Sequence, residues 1–255
     1  MTTLFDLTGK VAVITGGSRG LGYEIANAYA DAGAEVVLAS RKVDACERAA
    51  DEIANRTGRR AVGLAYHAGQ WSDSDRLVDA VYQRFGRCDV VVNNAGMSPV
   101  YPSLGGVSED LFDKVLGVNF KGPFRLSVLF GERMMADGSG SIINVSSIAA
   151  VQPTPGDLVY AGAKAALNNM TLGLARAFAP TVRCNVIMPG PFMTDVTKAW
   201  DLEAFDRQAQ RHIPLRRGGQ PSEIVGAALY LATEASSYTT GAVIKVDGGA
   251  AYAPA

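Results

Sequence analysis

Seven short runs of β-branched and apolar residues recur along this 255-residue chain, with longer helical patterns between them. They are "KVAVIT" (10–15), "EVVLAS" (35–40), "AVGLAY" (61–66), "CDVVVN" (88–93), "SIINVS" (141–146), "VRCNVIM" (182–188) and "AVIKV" (242–246). Most are apolar at nearly every position instead of alternating, so both faces of each strand must be buried. That condition is met by a parallel sheet covered with helices on either side. Amphipathic stretches near 21–32, 44–57, 72–85, 108–136, 157–179 and 221–233 supply those helices. Strand and helix in regular alternation predict right-handed crossovers and an α/β fold: a single doubly wound domain over residues 1–255. The seven strands form one parallel sheet, and no linker or internal repeat divides the chain.

Bulk properties narrow the partners. Twenty-four Lys and Arg against 25 Asp and Glu give a net charge of −1, which argues against nucleic acid or an anionic membrane surface, since both need basic protein. No apolar run reaches the 18 or so residues of a membrane span, and the first residues lack the basic start and apolar core of an export signal. Cys46, Cys88 and Cys184 are few, scattered and odd in number, as in reduced cytosolic proteins. With only His67 and His212 as imidazoles and no paired cysteines, no metal site is expected. A cytoplasmic protein with a small-molecule substrate is the reading that remains.

Two motifs carry chemistry. "TGGSRGLG" (15–22) follows the first strand and runs into a helix. Gly16, Gly20 and Gly22 let the backbone turn sharply, approach a pyrophosphate and seat the helix, whose positive end then faces the phosphates. The end of the second strand selects the dinucleotide. A carboxylate there would bind the ribose 2′-OH of NAD, but this chain has Ser40 and Arg41, with no acid until Asp44. Arg19 in the glycine turn and Arg41 converge on that corner and suit a 2′-phosphate. NADP(H) is therefore expected over NAD(H). The second motif, "YAGAK" (160–164), sets Tyr160 and Lys164 one turn apart on the same helix face, with only small residues between them.

With these motifs placed, the chain resembles the short-chain dehydrogenase/reductase family in its roughly 250-residue, Rossmann-like form. "NNAG" (93–96), "NVSS" (144–147), "PG" (189–190) and "VDGG" (246–249) fall in that family's order. The resemblance implies a catalytic group of Asn119, Ser147, Tyr160 and Lys164. Ser147 stands 13 residues before Tyr160, and strand alternation turns its neighbour Ser146 to the opposite face. Cofactor contacts implied are Gly16, Ser18, Arg19, Gly20, Leu21, Gly22, Ser40, Arg41, Asn94, Ala95, Gly96 and Thr194, with Tyr160 and Lys164 on the nicotinamide ribose. Pro189, Gly190 and Phe192 shape the nicotinamide wall. The family often has Asp-Val or Asn-Val after the third strand to touch adenine. Here His67 and Ala68 take those places.

The implied reaction interconverts a carbonyl and an alcohol by hydride transfer. A free tyrosine, with a pKa of about 10, is a reluctant proton carrier near neutrality. A neighbouring ammonium, helped by the nicotinamide's own charge, should lower that pKa, and a shift of ~3 units takes roughly 4 kcal/mol. Ser147 would bond the substrate oxygen, and Asn119 would hold a water that relays protons by way of Lys164. The segments 97–101, 148–158 and 191–193, with Trp200 and Phe205, are mostly apolar. Only Arg211, Arg216 and Arg217 could swing in as cations. An uncharged or largely apolar ketone or alcohol, or a β-ketoacyl thioester, is expected. Residues 191–220 interrupt the strand–helix rhythm and are a candidate substrate lid. The helix over 165–179 is apolar on more than one face, which the resemblance reads as a subunit contact in a homotetramer. A non-catalytic NADP(H) sensor would have no need of all four catalytic positions. An epimerase or dehydratase on the same fold would have a longer C-terminal region.

Overall fold

The computed structural model describes residues 4–194 and 201–251. Strands β1 (Val11–Thr15), β2 (Glu35–Ser40), β3 (Ala61–Ala65), β4 (Val90–Asn93), β5 (Gly140–Val145), β6 (Val182–Pro189) and β7 (Val243–Val246) pair in parallel in the order β3-β2-β1-β4-β5-β6-β7. The expected α/β, doubly wound architecture is the one found. Helices α1 (Gly20–Asp31), α2 (Val43–Thr57) and α8 (Val225–Ala232) cover one face. Helices α3 (Trp71–Phe85), α5 (Gly122–Asp137) and α6 (Leu158–Ala177) cover the other. Alternation divides each strand between two cores: Ala12 and Ile14 of β1 join Ile25 and Tyr29 of α1, whereas Val11 and Val13 join Leu77, Leu126 and Phe130 across the sheet.

The chain winds outward from β1 to β3, then returns to place β4 on the far side of β1. At this reversal the connections leave β1 and β4 toward opposite faces and open a crevice beyond the carboxyl ends of the strands. The residues that follow β1, β4 and β5 therefore meet there.

Two segments depart from the sequence expectation. The helix expected over 108–136 is broken into α4 (Glu109–Leu116), a π-turn (Gly117–Lys121) and α5. Pro123 has no N–H to give the carbonyl of Asn119, so a continuous α-helix cannot pass through this point with its ladder intact. The excursion over 191–220 contains a further helix, α7 (Leu202–His212), capped where Asp201 Oδ1 accepts from the Ala204 amide at 3.0 Å. The base of the excursion is stitched shut: Met193 N donates to Gly219 O (2.8 Å) and Gly219 N to Pro191 O (2.9 Å). Trp200 and the end of the "VDGGAAYAPA" tail lie outside the described residues.

The opposite end of the sheet is held by Asp89. Buried, it accepts from the Val11 amide (3.0 Å) and pairs with Arg87 and Lys10. Asp89→Ala should leave that amide and the guanidinium without their acceptor. We expect a loss of about 2 kcal/mol, read as a lower urea midpoint with an unchanged slope.

Candidate active site

The glycine turn is built by close approach. Gly16 (φ +66°) and Gly20 (φ +57°) adopt the left-handed conformation that other residues resist. A Cβ at Gly22 would collide with the Gly16 carbonyl and the Asn94 amide. Asn94 clamps the turn, its Nδ2 donating to Thr15 O (2.9 Å) and Gly16 O (3.3 Å). Thr15 Oγ1 accepts from the amides of Asn94 and Ala95, both at 3.0 Å. The loop after β4 and the turn after β1 are thus one unit. Helix α1 starts at Gly20 without a side-chain cap or an acidic residue in its first turn, so its positive end faces the crevice. Thr194 lies across this turn, within 3.6 Å of where a Gly20 Cβ would stand.

Register sets Thr15 of β1 beside Ala39 of β2, so Ser40 and Arg41 emerge next to the glycine turn. Arg19, immediately before α1, and Arg41 are both exposed. Below them lies a contact absent from the sequence expectation. The buried thiol of Cys46 reaches Ser40 Oγ at 3.0 Å and also bonds the Ser18 side chain. Burial raises that thiol's pKa, so it remains a neutral donor beneath the two hydroxyls.

Helix α6 carries the second half of the site. Tyr160 and Lys164 share a face, with Nζ 5.7 Å from the centre of the phenol ring. Lys164 is almost fully buried, and its ammonium donates to Val145 O at the end of β5 (2.8 Å). Burial lowers its pKa to about 8. Tyr160 bonds the Ser147 side chain. Ser146 turns away, its buried hydroxyl donating to Lys164 O at 3.4 Å. The expected depression of the Tyr160 pKa is not found in the polypeptide alone. Desolvation raises it, and the bond to Ser147 opposes the rise. The Lys164 ammonium is aimed at a carbonyl, and its own charged form is disfavoured by burial.

Asn119 sits inside the π-turn, fully buried. Its Nδ2 donates to Met97 O (2.8 Å) and Val115 O (2.9 Å), and its Oδ1 accepts from Met97 N (3.2 Å). The side chain therefore clasps the backbone just past "NNAG". Gly96 bridges this clasp to α6: a Cβ there would lie 3.0 Å from Asn119 Oδ1 and 3.6 Å from Lys164 Nζ. Asn119, Gly96, Lys164, Tyr160 and Ser147 form one contiguous group.

Other expected residues have different surroundings. His67 spends its backbone amide on Asp73 (2.9 Å), and its Nδ1 accepts from the Gly69 amide (3.1 Å). Ala68 is buried against Gly122, behind the π-turn. Gly190 presses on Asp247, its amide donating to Val246 O, and Phe192 is buried beside Gly219. Leu21 is half-buried and packs against the core at the start of α1. Of the arginines considered as swinging cations, Arg217 is held by a two-point pair with Glu223 at 2.6 and 2.7 Å. Sequence reasoning passed over Cys46 and Met97. Cys46 can be found from its place in the first turn of α2, six residues after Ser40. No residue-level signal marks Met97, because Asn119 grips its backbone.

Burying Lys164 has a cost that pH should reveal. Between about 8 and 10.5 the unfolded chain holds the lysine proton and the folded chain has released it, so stability rises with pH across that window. The full change is on the order of 3 kcal/mol at about 1.4 per unit. Lys164→Met should therefore be more stable than the parent chain at neutral pH, with the gap closing toward pH 10.5. Urea midpoints measured across that range would show a constant gap if burial carried no such cost.

A family model described as enoyl-(acyl carrier protein) reductase matches residues 16–251. The chain is 34% identical over 251 residues to dehydrogenase/reductase SDR family member 4 of Homo sapiens, covering 98% of this chain and 90% of that one. It is 37% identical over 253 residues to sorbose reductase sou1 of Schizosaccharomyces pombe, covering 98% of each. The crystal structure of L-sorbose reductase from Gluconobacter frateurii, complexed with NADPH and L-sorbose, superposes with a TM-score of 0.92 at 31% identity. That match spans 99% of this chain and 100% of the other. With this fold and these motifs in order, the chain belongs to the short-chain dehydrogenase/reductase family of oxidoreductases.

Proposed function

We propose that the chain is an NADP(H)-dependent reductase of an uncharged ketone, running in reverse as an alcohol dehydrogenase. The observation that carries this reading is the half-buried Tyr160, bonded to Ser147 on the helix face that also holds Lys164. The cradle of positive-φ glycines before the uncapped start of α1 fits a pyrophosphate. Gly16, Ser18, Gly20, Leu21 and Thr194 would hold that group, with Arg19, Ser40 and Arg41 around a 2′-phosphate. The bound nicotinamide supplies or accepts the hydride.

Tyr160 supplies the proton. Its pKa is raised by burial, so it is a protonated phenol at neutral pH and is set to donate to the oxygen that a reduced carbonyl leaves behind. Ser147 accepts from the Ala149 amide at 3.2 Å, which fixes its rotamer and lets its hydroxyl share the same substrate oxygen. Lys164 would hold the cofactor ribose and the proton path, while Asn119 secures the backbone of Met97 beside Gly96. The segment from Ser147 to Tyr160 exposes Val151 and Leu158. With Arg217 committed to Glu223, no fixed clamp for a carboxylate is found among the described residues of this wall, which favours neutral substrates. Ketoses belong to that class, as two relatives named for sorbose suggest. Simple apolar ketones and β-ketoacyl thioesters are the other members to screen.

NADPH should bind at least about tenfold more tightly than NADH in a fluorescence titration, a difference of about 1.4 kcal/mol. Equal affinities would remove the role given to Arg19 and Arg41. Tyr160→Phe should lower turnover by at least about a hundredfold with NADPH affinity nearly unchanged. Substantial residual reduction of ketones would move the proton donor elsewhere.

Four copies are proposed to assemble. Leu172 of α6 and Phe124 and Met135 of α5 are exposed, and β7 leaves one sheet edge open, with Val243 outward. Such apolar surface is suited to self-association. Light scattering behind size exclusion should give four chains per particle; a monomer at micromolar concentration would refute this.

A further inference from the structure

Helix α6, which carries Tyr160 and Lys164, starts without a cap of its own. Asp157 precedes it and accepts from the Thr154 amide at 2.7 Å, but its side chain makes no cap bond to the first turn. No acidic residue lies in that first turn. The acceptor comes from a distant segment: the Leu158 amide donates to the hydroxyl oxygen of Tyr101 at 2.8 Å. Leu158 is the first residue of the helix and Tyr160 the third, so this bond fixes the turn from which the phenol projects.

Tyr101 is buried, although Val100 beside it is 92% exposed. The other end of the same strap is also held, since Met97 is gripped on both sides by Asn119. Residues 97–101 thus run from the π-turn to the start of α6, anchored at either end, with Ser98, Pro99 and Val100 between the anchors. The two anchors stand on the two elements that carry Asn119 and Tyr160.

We propose that Tyr101 is a positioning residue for Tyr160: its hydroxyl caps α6 and, with the Asn119–Met97 clasp, makes the strap 97–101 a brace across the reacting face. The proposal rests on the reading of Tyr160 as the proton donor. It adds that the donor's alignment depends on a tyrosine of another loop and not on the helix alone. Loss of the acceptor frees the first turn of α6 and leaves the strap attached at one end. The proton donor then samples orientations that do not meet the substrate oxygen, while the glycine turn is untouched.

Tyr101→Phe keeps the ring and its burial and removes only the acceptor. Turnover should fall about tenfold, with the NADPH dissociation constant and KM within about twofold, a split that general destabilisation would not produce. Hydrogen exchange of a peptide spanning 154–162 should quicken about fivefold, with the rest of α6 unchanged. Leu104→Ala, an exposed side chain just beyond the strap, should leave both quantities unmoved. Unchanged exchange over 154–162 in Tyr101→Phe would overturn the proposal whatever the activity. So would equal losses in Leu104→Ala and Tyr101→Phe. If Tyr160→Phe abolishes turnover but Tyr101→Phe does not lower it, the positioning role falls and the proton donor stands. If Tyr160→Phe remains active, the reading of the reaction falls, and exchange still decides the capping of α6.

Discussion

Burial of the Lys164 ammonium against the end of β5 is the constraint on which the rest of this site depends. A charged amine withdrawn from water is costly unless donors and acceptors are satisfied around it. Here the bond to Val145 O offsets part of that cost, and the lowered pKa records the remainder. The geometry that provides it is specific: α6 must lie close enough to β5 for a side chain to reach a strand carbonyl. The small residues of "YAGAK" permit that approach, with Ala161 and Ala163 buried on the inner side. The same closeness turns Ser146 onto the Lys164 carbonyl and leaves Ser147 facing Tyr160. A placement that weakens the fold is thus the one that organises the reacting groups, as expected where function is grafted onto a stable scaffold.

The opposite wall solves a different problem. Asn119 is an amide in a core, and three backbone bonds satisfy it. The π-turn makes this possible by widening the helix where Pro123 removes an N–H. Gly122 and Gly117 then let the turn press onto Ala68 and Gly69 behind it. Rigid backbone packing on one side and a bond to Met97 on the other leave the loop after "NNAG" little freedom. Loops at the carboxyl edge of the sheet are held here by side chains buried beneath them, which is how a loop-built site acquires the precision of a strand or helix.

The sheet was legible because its signal is redundant. Strands buried on both faces announce themselves as unbroken apolar runs, and the alternation with helices leaves few ways to connect them. The glycine turn and "YAGAK" were legible because their spacing, not their setting, carries the information. The break at 117–121 was not read, although "NFKGPF" contains the proline that imposes it. The amphipathic pattern continues across the break and masks it. The bond from Tyr101 to Leu158 and the grip of Asn119 on Met97 join residues 57 and 22 positions apart. Nothing local in either sequence segment encodes such a pairing. The upward shift of Tyr160 in the polypeptide alone was not legible, because it comes from burial and no count of nearby charges includes that.

That last point bears on the direction of reaction. A phenol kept protonated by burial is a ready donor, whereas alcohol oxidation needs the same group as its conjugate base. In the polypeptide alone the balance favours donation, and only added positive charge near the phenol reverses it. Lys164, with its pKa lowered to about 8, still carries most of its charge at neutral pH and loses it above that value. The oxidised nicotinamide carries positive charge and the reduced form does not. On the proposed reading, a bound oxidised nicotinamide would favour the phenolate of Tyr160 and the reduced form would leave the phenol, so that one half-buried tyrosine would serve both directions.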